Sequence, residues 1–279
     1  MTFLNKFLSG ASLLALTFLV ACGGGGGGTP PTPVAPTIST QPVNQTVLAG
    51  ATATFSVTAA GTAPLTYQWK KGGTAIAGAT SASYTTPATV VGDSGASFTV
   101  TVTNSAGTVT SSAATLTVTP VATALAYTDP TTGTYQLKKN TTLSTATHLV
   151  LDLVGPATTG CGVSATFSAD TTKVTWVNVS GADPVNTFVA NGTAFALGAA
   201  PQILKGKVAG NVLQAAVAQK GTGSPVALNA PLVRIALDLK AGLPTGTVTF
   251  SADATKCQVL DGAGTLSTIT VTVGTLATQ

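Results

Sequence analysis

Apolar and hydroxyl-bearing residues alternate along most of this chain, and that alternation leaves few folds open. Ala53, Phe55, Val57 and Ala59 interleave with Thr52, Thr54, Ser56 and Thr58. Phe98, Val100 and Val102 alternate with Thr99, Thr101 and Thr103, and Ala114, Leu116 and Val118 repeat the pattern. Neighbouring side chains of a strand point to opposite faces, so each run has one apolar and one hydroxyl face. Strands of that kind cover a single core. Gly, Asn, Ser and Asp turns separate the runs, and about seven short strands within 37–119 predict a β-sandwich.

Residues 121–279 read the same way. Leu149, Leu151 and Leu153 share one face of a strand over His148 to Val154, and Val233, Ile235, Leu237 and Leu239 form another such row. Ile269, Val271 and Val273 alternate with threonines near the end. Asn211 to Lys220 fits either a strand or a short helix. Thr166-Phe167-Ser168-Ala169-Asp170 recurs as Thr249-Phe250-Ser251-Ala252-Asp253, each copy after a Leu-Asp-Leu strand and a Thr-Gly turn. The echo implies two similar strand–turn–strand units in one sandwich. The chain as a whole is expected to be all-β, with two tandem β-sandwich domains.

Composition narrows the chemistry. Charged residues make up 7% of the 279-residue chain, all its acids are aspartates, and it has 1 histidine. The net charge of +4 comes from scattered lysines rather than a basic patch, so nucleic-acid binding has no support. Gly92-Asp93-Ser94-Gly95 spells the tetrapeptide around the nucleophile of trypsin-like proteases. A nucleophilic serine needs a base and an orienting acid, however, and His148 lies in the other domain; a turn explains the same four residues. Asp152 and Asp238 would serve a glycosidase only at ~5–9 Å separation. Asp170 and Asp253 read as turn caps; a Ca²⁺ site needs several oxygen ligands together, and no Asp-x-Asp cluster occurs. One histidine makes no zinc site, and His148 is expected exposed or capping at a strand start. Lys138-Lys139 reads as a solvated turn. Trp176 is either core or a sugar-stacking platform. The expectation is no enzyme, no metal and no cofactor.

The N-terminus has the parts of a secretory signal over 1–21: Lys6, then an apolar stretch from Ala11 to Ala21, too short for a ~30 Å hydrocarbon core. Leu19-Val20-Ala21-Cys22 resembles the bacterial lipobox, which implies that Cys22 is the acylated first mature residue. Gly23 to Gly28 is flexible coil and Thr29 to Pro36 is extended, so 22–36 reads as a tether to a membrane. Gly23 after the cysteine resembles lipoproteins sent to the outer membrane, which implies a lipid-anchored envelope protein facing the periplasm or the cell surface. With Cys22 used by lipid, Cys161 and Cys257 remain for a disulfide, which an exported protein permits; two buried free thiols are the other reading.

Motifs along 36–119 resemble immunoglobulin-like domains of the bacterial surface type. They are Pro36-Thr37-Ile38, Gln41-Pro42, Ala49-Gly50, Pro64 to Lys70, Asp93-Ser94-Gly95 and Val102 to Gly107, in family order. The resemblance places Trp69 on the core tryptophan of the third strand. Val57 and Val100 stand where many members carry the inter-sheet disulfide, so packing alone holds this core. Phe98 stands near the corner tyrosine, without its hydroxyl. The layout of 145–275 looks like cohesin-type sandwiches, related in fold to carbohydrate-binding modules. Together these imply a non-catalytic module for binding or adhesion, with a polysaccharide or a surface protein as ligand.

Overall fold

A computed structural model describes residues 31–179, 188–192, 194, 202–219 and 224–279. Apart from a short 3-10 turn at Val91–Asp93, its helical and extended elements are all strands, so the protein is all-β. In the first sandwich, Ser97–Asn104 runs antiparallel to Thr66–Lys71 and to Ala114–Thr119, and Gln45–Leu48 lies parallel to Ala114–Thr119. Thr54–Ser56 with Ser83–Thr85, and Thr37–Thr40 with Thr58–Ala60, form shorter pairs. The alternation does what its period requires. Phe98, Val100 and Val102 are buried on one face of their strand while the intervening threonines stay partly exposed.

Phe55 stacks on Phe98 with ring centroids 4.5 Å apart, and Trp69 lies 6.3 Å from Phe55. Trp69 is 0% exposed, and its Nε1 donates to the Ser81 carbonyl at 2.9 Å, so the indole is buried without stranding its one donor. Val57 and Val100 belong to the same buried cluster.

The second sandwich has two larger layers. One is ordered Val174–Val177, Pro231–Leu239, His148–Val154, Tyr135–Lys139, Val271–Thr272. The other runs Gln202–Ala209, Val212–Gln219, Thr159–Ala169, Gln258–Asp261, Leu266–Thr268. Asn211 to Lys220 thus resolves as the strand Val212–Gln219. Leu149, Leu151, Leu153, Ile235 and Leu237 from the first layer meet Val163, Phe167, Leu213 and Val217 from the second in one core. Leu125–Thr128, Thr275–Thr278 and Gly246–Val248 make a third, small sheet. The His148–Val154 strand is buried on both faces: Val150 and Asp152 are covered as well as the leucines. Lys138 and Lys139 sit at the end of the strand Tyr135–Lys139 rather than in a turn.

The sequence echo has a specific geometry. Its two copies are antiparallel neighbours, with Phe167 opposite Ala252, Ser168 opposite Ser251 and Ala169 opposite Phe250. The Asp170 amide donates to the Thr249 carbonyl at 2.9 Å and the Asp253 amide to the Thr166 carbonyl at 2.8 Å, so a local two-fold axis passes between Ser168 and Ser251.

The expected disulfide is not formed: Cys161 and Cys257 are both free thiols. Register is the reason. Gly162 pairs with Leu260 and Ser164 with Gln258, which brings Cys257 beside Ala165. Cys161 lies four residues down that strand, about 13 Å away at ~3.3 Å per residue, whereas bridged cysteines need Cα atoms within ~7 Å. Burial pushes the Cys257 thiol up, and the Thr166 amide partly offsets this. Alkylation of the unfolded chain without reductant should therefore label both Cys161 and Cys257 in full, read by peptide mass spectrometry; a linked Cys161–Cys257 peptide is the contrary result.

Tyr127 ties the small sheet to the main layers, its hydroxyl donating to the Leu137 carbonyl and accepting from the Gly274 amide, both at 2.7 Å. Burial pushes this phenol up to about 12, the Gly274 amide opposing and Asp129 assisting. An acid whose folded value lies above its unfolded one stabilises the fold fully below pH ~10 and loses that contribution as pH rises towards 12. The loss over that range is about 2–3 kcal/mol. Urea midpoints should fall more steeply between pH 10 and 12 for the natural chain than for Tyr127→Phe, which starts lower at pH 8.

Candidate functional site

A trough flanked by lysines lies on the outer face of the Gln202–Ala209 to Leu266–Thr268 layer, with a volume of about 520 Å³. Clefts of ~300–1,000 Å³ are the usual size for ligands. Two register rows build it. Lys205 stands opposite Ala216, Ala216 opposite Ser164, and Ser164 opposite Gln258. In the next row Lys207 faces Gln214 and Gln214 faces Thr166. Thr255 and Lys256 close the far side. In the first row long side chains, Lys205 and Gln258, therefore stand on the outer strands over the short Ala216 and Ser164, while Gln214 rises from the floor of the second row. With strands ~4.8 Å apart, the walls are separated by three steps, about 14 Å.

Glycines fix this relief. At Gly162, two residues along the strand from Ser164, an added Cβ would lie 2.8 Å from the Ala218 Cβ, so the sheet carries no bulk beyond that end of the trough. At Gly206 it would lie 2.6 Å from Val189 in the opposite layer. The glycine thus allows the two layers to approach while Lys205 and Lys207, one residue to either side, both turn outward and are exposed.

The charge in the trough is of one sign. Among the described residues, no carboxylate pairs with Lys205 or Lys207, and Lys256 meets Asp253 at 3.0 Å. The Thr255 hydroxyl, followed by Lys256, holds the Asp253 carboxyl down at about 2, so it stays ionised at the rim. No aromatic ring lines the trough.

The other residues singled out in the sequence are committed elsewhere. Trp176 is 4% exposed, lies 6.2 Å from Phe250 in the core and donates to the Asn211 carbonyl. It offers no face to a sugar, which corrects the stacking-platform reading; a valine-rich strand with one buried face drew the indole inward. Asp152 accepts from Arg234 at 2.6 Å and from Asn140 at 2.8 Å, and Asp238 meets His148 at 2.5 Å. Register puts Asp152 opposite Arg234 and Asp238 opposite His148, four residues apart along the pair. That is about 13 Å of strand, beyond the glycosidase spacing.

Asp170 and Asp253 each accept from the hydroxyl and amide of the threonine two residues on, closing matching turns. Those threonine bonds, hydroxyl first, hold the Asp170 carboxyl below its usual range. Ser94 accepts from the Val118 amide at 3.0 Å, and Asp93 pairs with Lys71 at 2.6 Å while capping the Val90 amide. The Gly92–Gly95 segment is thus a turn with its polar groups engaged. Among the described residues no cluster of three metal-ligating side chains occurs. Cys22 lies outside the described residues.

Sequence reasoning missed Lys205, Lys207 and Lys256. The signal for the first two was present, since Lys-Gly-Lys at strand spacing places both lysines on one face. Their conjunction with Lys256 depends on a register that no local pattern encodes.

Residues 36–118 match the family model of the Immunoglobulin I-set domain, and this part of the chain is an immunoglobulin-like domain. A decoration protein of Escherichia phage T5 is 41% identical over 89 residues, 32% of this chain and 54% of that protein. The chain thus spans about half the length of this curated relative. Among solved structures, titin domain M7 is 32% identical, covering 32% of this chain and 98% of that one with a TM-score of 0.29. The titin domains z1z2 in complex with telethonin are 16% identical over 86% of this chain and 96% of that one, with a TM-score of 0.30.

The two aspartates of the central layer should differ in consequence. Asp152→Ala leaves the Arg234 guanidinium, 21% exposed, without its carboxylate, which should cost about 3–5 kcal/mol of stability. Asp238→Ala breaks a pair whose acid is 45% exposed and should cost under ~1 kcal/mol. Urea unfolding of both variants checks the ranking.

Proposed function

We propose that this chain is a non-catalytic, lipid-anchored protein of the cell envelope that presents two β-sandwich modules for binding. The observation that carries the reading is how the polar side chains are used. Ser94, His148, Asp152 and Asp238 are spent on structural contacts, while the lysine, amide and hydroxyl groups of the trough face solvent around an open concavity. Ser94 accepts from the Val118 amide while His148 meets Asp238 in the other sandwich, so the serine and the histidine do not form a nucleophile–base pair. Exposed single-sign charge around a concavity favours a ligand. The immunoglobulin I-set match and the likeness to a phage decoration protein support a module that docks on a surface or a partner.

In this reading 1–21 is a signal peptide, Cys22 carries the lipid and 22–36 spaces the domains 37–119 and 121–279 from the membrane, with the outer membrane as destination. Two acyl signals or more hold a protein stably, where a single chain gives marginal binding. A second reading, scaffolding of another protein by a cohesin-like second domain, draws on the same exposed face.

Radiolabelled palmitate should enter the natural chain and be absent from Cys22→Ser, which should also leave the membrane fraction. Label that persists in Cys22→Ser would overturn the anchor.

A further inference from the structure

The geometry points to the trough as a binding site for a carboxylated polysaccharide, a chain of uronic-acid sugars laid along the Val212–Gln219 and Thr159–Ala169 strands. The inference rests on the binding-module reading and gives it a site and a ligand class. Lys205, Lys207 and Lys256 stand on both walls, against one rim carboxylate at Asp253. In a chain with 12 basic residues in all, this concentration on one face sets the sign of the ligand. Between the lysines stand Gln214, Gln258, Ser164, Thr166 and Thr255, which both donate and accept hydrogen bonds. Ammonium groups among amides and hydroxyls match a polymer that presents carboxylates among hydroxyls.

Other polyanions fit less well. An acidic peptide binds in extended form by adding to a sheet edge, or as a helix in an apolar groove. This site is the face of a fully paired sheet, where Val212–Gln219 and Thr159–Ala169 have hydrogen-bonded neighbours on both sides, and its lining has no large apolar side chain to receive a helix. Single-stranded nucleic acid is held by aromatic stacking and arginine, and the lining has neither. An anionic lipid surface would find no large apolar side chain to take into its interface. A neutral glycan would need a stacking ring, and Trp176 is in the core.

The test uses the full-length acylated chain in detergent, with polygalacturonate as probe in biolayer interferometry at low and at physiological salt. Binding is expected, weakening at least ten-fold as salt rises. The triple variant Lys205→Gln, Lys207→Gln, Lys256→Gln should lose at least ten-fold. Ala216→Gln, which fills the floor and keeps the charge, should lose binding comparably while circular dichroism stays that of the natural chain. Neutral dextran should not bind. The proposal is overturned if polygalacturonate fails to bind, or if the triple variant or Ala216→Gln binds as well as the natural chain. It is also overturned if polyglutamate or phosphatidylglycerol vesicles bind as tightly through the same lysines. Capture of dextran or of a protein ligand by the triple variant would remove the trough and leave the binding-module reading standing. Loss of palmitate labelling would remove the anchor and leave the trough.

Discussion

The second sandwich is organised around the hydrogen bonding of one strand. Thr159–Ala169 is paired on one edge with Val212–Gln219 and Val226–Ala227, and on the other with Phe250–Ala252 and Gln258–Asp261. Buried backbone groups must find partners, and this strand satisfies its own through segments drawn from distant parts of the chain. Its inward residues Val163, Ala165 and Phe167 fill the core while Ser164 and Thr166 floor the trough. A one-residue slip would exchange those two sets, so the packing that stabilises the domain also fixes what it shows to solvent.

The first sandwich was the more legible of the two. Its alternation, its turn residues and the spacing around Trp69 all agreed on one answer, and agreement across levels marks a well-specified fold. In the second half, Leu149, Leu151 and Leu153 were correctly read as one core face. The burial of Asp152 was not visible, because the pattern treats every even position as facing water, whereas Arg234 and Asn140 close over this one. The cysteine pairing failed for a related reason. Counting thiols says nothing of register, and two residues on adjacent strands can share a layer while lying far apart along it. The trough was illegible for the same cause: Lys205 and Lys256 are brought together by strands paired across the sheet.

Low charge is part of the same design. With 7% charged residues, the outer faces are dressed mainly in threonine and serine. β-Branched threonine suits a pleated, half-buried surface, and hydroxyl pairs such as Thr54 with Thr85 and Ser168 with Ser251 bridge neighbouring strands at 2.8 Å. Against so neutral a background, three lysines and their flanking amides around one concavity are a marked concentration of charge and hydrogen-bonding groups.

The small third sheet sets an order of events. Leu125–Thr128 opens the second domain, yet its ladder partner is Thr275–Thr278, about 150 residues further along, a separation that makes pairing slow. That opening strand has to wait, its edge unsatisfied, until the distant segment arrives. The immunoglobulin-like domain closes within its own short span, with Gln45–Leu48 meeting Ala114–Thr119. The two halves therefore fold on separate clocks: the first module is complete while the second is still an open sheet.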